Sequence, residues 1–138
     1  LLEEKHVNPY DLGLSRRKLV AIASILAMDT EMIIFDEPTI AQDYAGKERI
    51  KNIIRQLRNQ GKTVITVIHD MNFVADVFER AIVFAKGQAI LDDTTKAVFS
   101  QKEILEDAYL EQPDVMKLCR ELGLQESLNV EELVQNLK

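Results

Sequence analysis

Glycine is scarce in this 138-residue chain: there are five, and none belongs to a Gly-x-x-x-x-Gly-Lys-Ser/Thr loop. The chain therefore carries no such loop to wrap a nucleotide's phosphates with backbone N–H groups and a lysine. Cysteine is reduced to Cys119 alone, which excludes an internal disulfide and a cysteine-based zinc site. Cys119 sits among Val115, Met116, Leu118 and Leu122 at helical spacing, so it reads as a small buried hydrophobe and not a reactive thiol. Long apolar runs are missing too. Met32–Phe35, Val64–Ile68 and Ala81–Ala85 are each far too short to cross a bilayer. Positive charge is outnumbered, and the net charge of −6 argues against a general affinity for nucleic acid. With 46% apolar and 29% charged residues, the composition is that of a soluble intracellular chain with one modest core. There is no initiating methionine and no signal peptide. His6 lies in a polar entry segment with no partner in view and reads as exposed.

What is present centres on residues 32–43. The apolar run Met32–Phe35 ends in two adjacent acids, Asp36 and Glu37. An unbroken apolar run suits a strand buried on both faces of a parallel sheet, and α/β proteins bind ligands at the carboxyl ends of such strands. One carboxylate there can hold Mg²⁺ through water while its neighbour orients or deprotonates an attacking water. A second β-branched run, Thr63–Ile68, ends in His69-Asp70. Between them, Tyr44 to Gln60 carries Ile50, Ile53, Ile54 and Leu57 at helical spacing, and Gly61 is placed to stop that helix. Strand, helix, strand predicts a right-handed parallel crossover, with both strands ending on one edge and His69 brought near Asp36 and Glu37.

These motifs resemble ABC-type ATPases. Asp36-Glu37-Pro38-Thr39 is similar to the end of a Walker B strand, Asp43 to the D-loop aspartate and His69-Asp70 to the switch histidine segment. Upstream, Asn8-Pro-Tyr-Asp-Leu12 and Val20-Ala-Ile-Ala23 resemble the flanks of the ABC signature. Within the family the likeness is greatest to energy-coupling-factor importer ATPases, including the cobalt type; the His-Asp-Met after the second strand and the tail Arg120-Glu-Leu-Gly-Leu124 share it. The resemblance implies an α/β fold of the P-loop NTPase kind, lacking the P-loop strand and followed by a helical C-terminal appendage. Residues 1–99 would be the C-terminal part of the ATPase domain and 100–138 the appendage. It also implies ATP and Mg²⁺ as cofactors, with Asp36 at the metal and Glu37 and His69 catalytic. Gly13, Ser15 and Asp43 would meet nucleotide across a head-to-tail dimer. The implied partners are a second ABC ATPase subunit or half and a transmembrane coupling subunit, at the cytoplasmic face of the cell membrane. A catalytically silent pairing or regulatory half is the alternative. A DNA-repair ATPase is a more distant one, because no sustained heptads are present.

The signature departs from the family's Leu-Ser-Gly-Gly-Gln. Aligned without gaps on Val20–Ala23, Gly13 stands for the serine, Leu14 and Ser15 for the glycines and Arg16 for the glutamine. Leu14 brings a Cβ where close backbone approach to nucleotide is needed. Ser15 is placed to cap the following helix; Arg16 and Arg17 read as positive charge near a phosphate, or Arg16-Arg17-Lys18 as a solvated helix start. Because the phosphate loop and glutamine loop belong upstream of the signature, the chain reads as the C-terminal half of such an ATPase: an engineered piece, a proteolytic fragment or a truncated gene product. In the family's sheet order the P-loop strand lies between Thr63–Ile68 and Ala81–Ala85.

Other segments have local signals. Ser15 to Met28 reads as a helix with Leu19, Ile22, Ala23 and Leu26 on one face. Asp70 is placed to cap a helix through Arg80 that buries Phe73, Val74 and Val77. Ala81–Ala85 and Gln88–Leu91 flank Lys86-Gly87 as a hairpin. Ser100 with Glu103, and Asn129 with Glu132, fit capping boxes, and Pro113 can open a helix ending at Gly123.

Overall fold

The computed structural model describes residues 2–138, which form two compact units, one through Ile68 and the other His69–Lys138. The first opens with 3₁₀ turns at Leu2–Glu4 and Pro9–Asp11, followed by helix α1 (Leu14–Leu26). Gly13, not Ser15, takes the N-cap position of α1, and no side chain caps that end. The expected Ser15 cap fails because Ser15 is already inside the first turn. Of the expected apolar face, Leu19, Ile22 and Leu26 are half-buried, while Ala23 is exposed.

Strand β1 (Met32–Asp36) pairs in parallel with β2 (Thr63–Val67), in register from Met32↔Thr63 to Asp36↔Val67. Helix α2 (Tyr44–Asn59) makes the crossover. Asp43 caps its N-terminus, and Gly61, at φ +77°, turns the chain beyond its end while the Lys62 N–H bonds the Leu57 carbonyl. Ile50 and Ile54 are fully buried and Leu57 nearly so, and Ile33 and Phe35 of β1 are buried in the same unit. Each such side chain contributes about 1.5–3 kcal/mol relative to exposure. The strand is not buried on both faces, as its sequence suggested. Met32 and Ile34 are exposed, and so are Ile65 and Val67 of β2. Alternate residues of a strand face opposite sides, so an apolar run can be half covered.

In the second unit, Asp70 caps α3 (Met71–Val77), which buries Phe73, Val74 and Val77 as expected. The helix stops short of Arg80 because Phe78 is already extended and Arg80 begins a strand. Strands β3 (Arg80–Ala85) and β4 (Gln88–Thr94) form an antiparallel hairpin. Lys86 and Gly87 both have positive φ (50° and 77°), the turn whose twist matches paired strands. Arg80 grips Asp92 through two 2.8 Å bonds, and the register shifts between Val83 and Phe84. Thr94 caps a short helix α4 (Thr95–Ser100), for which the sequence had no periodic signal.

The Ser100–Glu103 box does not form: Ser100 closes α4 and its hydroxyl donates to the Lys96 carbonyl. Helix α5 (Lys102–Asp107) starts at Gln101 without a side-chain cap. Pro113 opens α6 (Asp114–Glu121), whose Met116 and Cys119 are fully buried, and Gly123 (φ 65°) follows it. Asn129 caps α7 (Val130–Asn136), while Glu132 reaches back to the Leu128 N–H, one residue earlier than a standard box. Among the described residues β2 pairs only with β1 and β3 only with β4.

Candidate functional site

The carboxyl edge of β1 is built by a compact turn. Asp36 ends the strand with its side chain exposed, and Glu37 is half-buried. The Glu37 N–H donates to the Val67 carbonyl at 2.9 Å, carrying the ladder one residue beyond the strand. Its φ of 44° is left-handed, a conformation costing a non-glycine residue about 1–2 kcal/mol. The Glu37 carbonyl accepts from Lys18 Nζ at 2.7 Å, and the same ammonium donates to the Ile40 carbonyl at 3.0 Å. Pro38 and Thr39 are buried beneath, and Ala41 is again left-handed, at φ 60°.

Gln42 closes the turn. Its Oε1 accepts from the Ser15 hydroxyl at 2.7 Å, and its Nε2 is buried without a hydrogen-bond partner. The amide rests on Gly46, where an added Cβ would lie 2.3 Å from Gln42 Oε1. Asp43 Oδ1 accepts from the Gly46 N–H at 2.7 Å, so the D-loop candidate is also the cap of α2.

Ser15, Asp36, Glu37 and Asp43 thus belong to one α1–turn–α2 arrangement. Gly13 starts α1 with open space where a Cβ would stand, so crowding does not require glycine there. Leu14 is half exposed, and Arg16 pairs with Glu4. His69 follows β2 by two residues and belongs to the second unit, where it is exposed. Sequence reasoning missed Lys18 and Gln42. The signal for Lys18 was its spacing three residues after Ser15, which puts both on one helix face.

Among the described residues no group of three or more His, Cys, Asp and Glu side chains is arranged to hold a metal. A single exposed carboxylate such as Asp36 fits Mg²⁺, which usually keeps several waters and binds through one or two carboxylates plus substrate phosphates. No described helix is long and apolar enough to cross a membrane.

The parallel crossover with paired acids at its carboxyl edge has the fold of ATP-binding cassette domains, P-loop NTPases, which are its neighbours among solved structures. The chain is homologous to ATP-binding proteins of ABC transporters, matching on the C-terminal half. It is 41% identical over 114 residues to the energy-coupling factor transporter ATP-binding protein EcfA2 of Methanospirillum hungatei, covering 83% of this chain and 29% of that protein. A solved structure of cbiO1 from Clostridium perfringens, part of the ABC transporter complex cbiONQ, matches with a TM-score of 0.61 and 27% identity, covering 84% of this chain and 45% of that one. The dimeric post-hydrolysis state of an ATP-binding cassette bound to ADP and Pi matches with a TM-score of 0.58 and 31% identity, covering 64% and 38%. No family profile matches the chain. The chain therefore spans well under two thirds of the relatives it matches.

Proposed function

We propose that the chain forms part of an ATP-hydrolysing subunit of an ABC importer of the energy-coupling-factor kind, which powers transport by nucleotide-dependent dimerisation. The observation that carries this reading is the placement of Asp36 and Glu37 at the carboxyl edge of a parallel pair, with the Glu37 backbone bonded to β2 on one side and Lys18 on the other. Asp36 would hold Mg²⁺ through water, and the metal, when bound, neutralises charge on the phosphate oxygens. Glu37 acts as general base or positions the attacking water, His69 meets the γ-phosphate, and Asp43 links the two sites of the dimer. Ser15 and the backbone at Gly13 face the nucleotide held by the partner.

ADP and Pi in the dimeric neighbour, and the transporter names of the relatives, support these cofactors and a second ATPase with a transmembrane coupling subunit as partners. The placement is then peripheral, at the cytoplasmic face of the membrane. Residues 1–99 supply the nucleotide-binding part and 100–138 the appendage used in pairing. A silent pairing half is the second reading. It is favoured by the Ser15 hydroxyl, which donates to Gln42 and so has no proton left for a phosphate. On either reading the altered signature calls for a different ATPase as partner, which supplies an intact one.

The discriminating experiment is Glu37→Gln in the complete ATPase. Turnover is expected to fall by about 10²–10⁴-fold, with nucleotide binding retained. Parent-like turnover in that variant would remove Glu37 from the chemistry.

A further inference from the structure

We propose that Lys18 is a positioning residue for Glu37, an inference that rests on the reading of Glu37 as the group that activates water. Lys18 lies one turn into α1, outside the signature itself. Its ammonium bridges two carbonyls of one turn, those of Glu37 and Ile40, at 2.7 and 3.0 Å. These are charge-assisted bonds, shorter and stronger than neutral ones. They meet the turn where it is under conformational load, because Glu37 itself is left-handed and Ala41 repeats that sign.

A left-handed non-glycine residue persists only where its surroundings over-determine it. Here the surroundings are identifiable. The Val67 carbonyl holds the Glu37 N–H, and Lys18 holds the Glu37 carbonyl, so both peptide groups flanking its Cα are fixed. The Cα–Cβ direction of Glu37 is thereby set, and with it the origin of the carboxylate. The turn's own closing bond, Ile40 N–H to the Glu37 carbonyl, is long at 3.4 Å and is a poor substitute. Ser15, on the same face of α1, ties the far end of the segment through Gln42. The helix that carries the altered signature is thus bonded to both ends of the acidic turn.

Without the ammonium, the Glu37 peptide can rotate toward right-handed values and swing the carboxylate away. A displacement of about 1 Å costs on the order of 10²-fold in rate. The test is steady-state ATP hydrolysis by the complete ATPase carrying Lys18→Met, Lys18→Gln, Lys18→Arg or Glu37→Gln. We expect kcat to fall at least tenfold in Lys18→Met (on the order of 10²-fold at full displacement) with KM for ATP unchanged. Lys18→Gln, with a shorter neutral donor, should be intermediate, and Lys18→Arg should recover most of kcat. Thermal midpoints recorded on the same samples separate positioning from unfolding. Equal kcat across the three Lys18 variants, while Glu37→Gln is inactive, would overturn the inference and leave the function standing. So would parallel changes in kcat and KM that Lys18→Arg fails to rescue. Full activity of Glu37→Gln would overturn both.

Discussion

Asp43 performs a structural task that can be separated from its proposed role between subunits. Its Oδ1 accepts the Gly46 N–H at 2.7 Å and caps a 16-residue helix. Truncation in Asp43→Ala removes the cap, at a cost of about 1 kcal/mol. It also removes a negative charge from the helix N-terminus, which contributes about 0.3–1 kcal/mol more. Together these predict a loss of about 1–2 kcal/mol, a factor of roughly 5–30 in the opening equilibrium. Asp43→Asn keeps the acceptor oxygen and gives up only the charge, so its loss should be about 0.3–1 kcal/mol. Native-state hydrogen exchange read at the amides of Ile50, Ile54 and Leu57, on the buried face of α2, reports the difference directly. Equal losses in the two variants would refute the cap argument, and so would unchanged exchange in Asp43→Ala. With the helix intact in Asp43→Asn, any fall in turnover of the complete ATPase then measures the task between subunits alone.

Other outcomes follow from the same geometry. Leu105 is fully buried, and Leu105→Ala should destabilise the second unit by about 2–5 kcal/mol, read by urea unfolding. Burial raises the Glu132 carboxyl, but the Leu128 N–H and Lys96 outweigh it and hold the group below its ordinary 4.5. A depressed carboxylate stabilises above its unfolded value, so α7 should lose order as pH falls below about 4.5, and Glu132→Gln should flatten that dependence in far-UV circular dichroism. The isolated chain, whose carboxylates repel a triphosphate, should show no saturable binding of Mg-ATP in the low micromolar range by calorimetry.

The crossover was legible because two apolar runs, the helical spacing of Ile50, Ile53, Ile54 and Leu57 between them and Gly61 as a stop all mark the same boundaries. Asp36 and Glu37 were legible for the same reason: acids directly after an apolar run mark a strand's end. Helix α4 was not, since six residues are too few to establish a period. Ser100 shows the limit of a cap motif, because the same hydroxyl serves equally to end one helix or begin the next. The exposed face of β1 escaped for a different reason: an apolar run reports what could be covered, not what is. The spacing of Lys18 from Ser15 showed a shared helix face but not its targets, which are backbone carbonyls, present in every sequence, in a left-handed turn that no residue type announces.

The pairing of Met32 with Thr63 also has a kinetic side. Parallel strands cannot meet through a short turn, and the chain between them must lose its freedom before any ladder bond repays it. In this protein most of that intervening chain is α2, a helix that forms locally and far faster than strands align. Once helical, it shortens the effective loop from a flexible coil to a rigid rod of about 24 Å, at 1.5 Å per residue. Folding of the first unit should therefore be paced by the alignment of β1 with β2 and not by α2 itself, and changes on the solvent side of α2 that alter how much of the helix is formed beforehand should alter the rate at which the site is assembled.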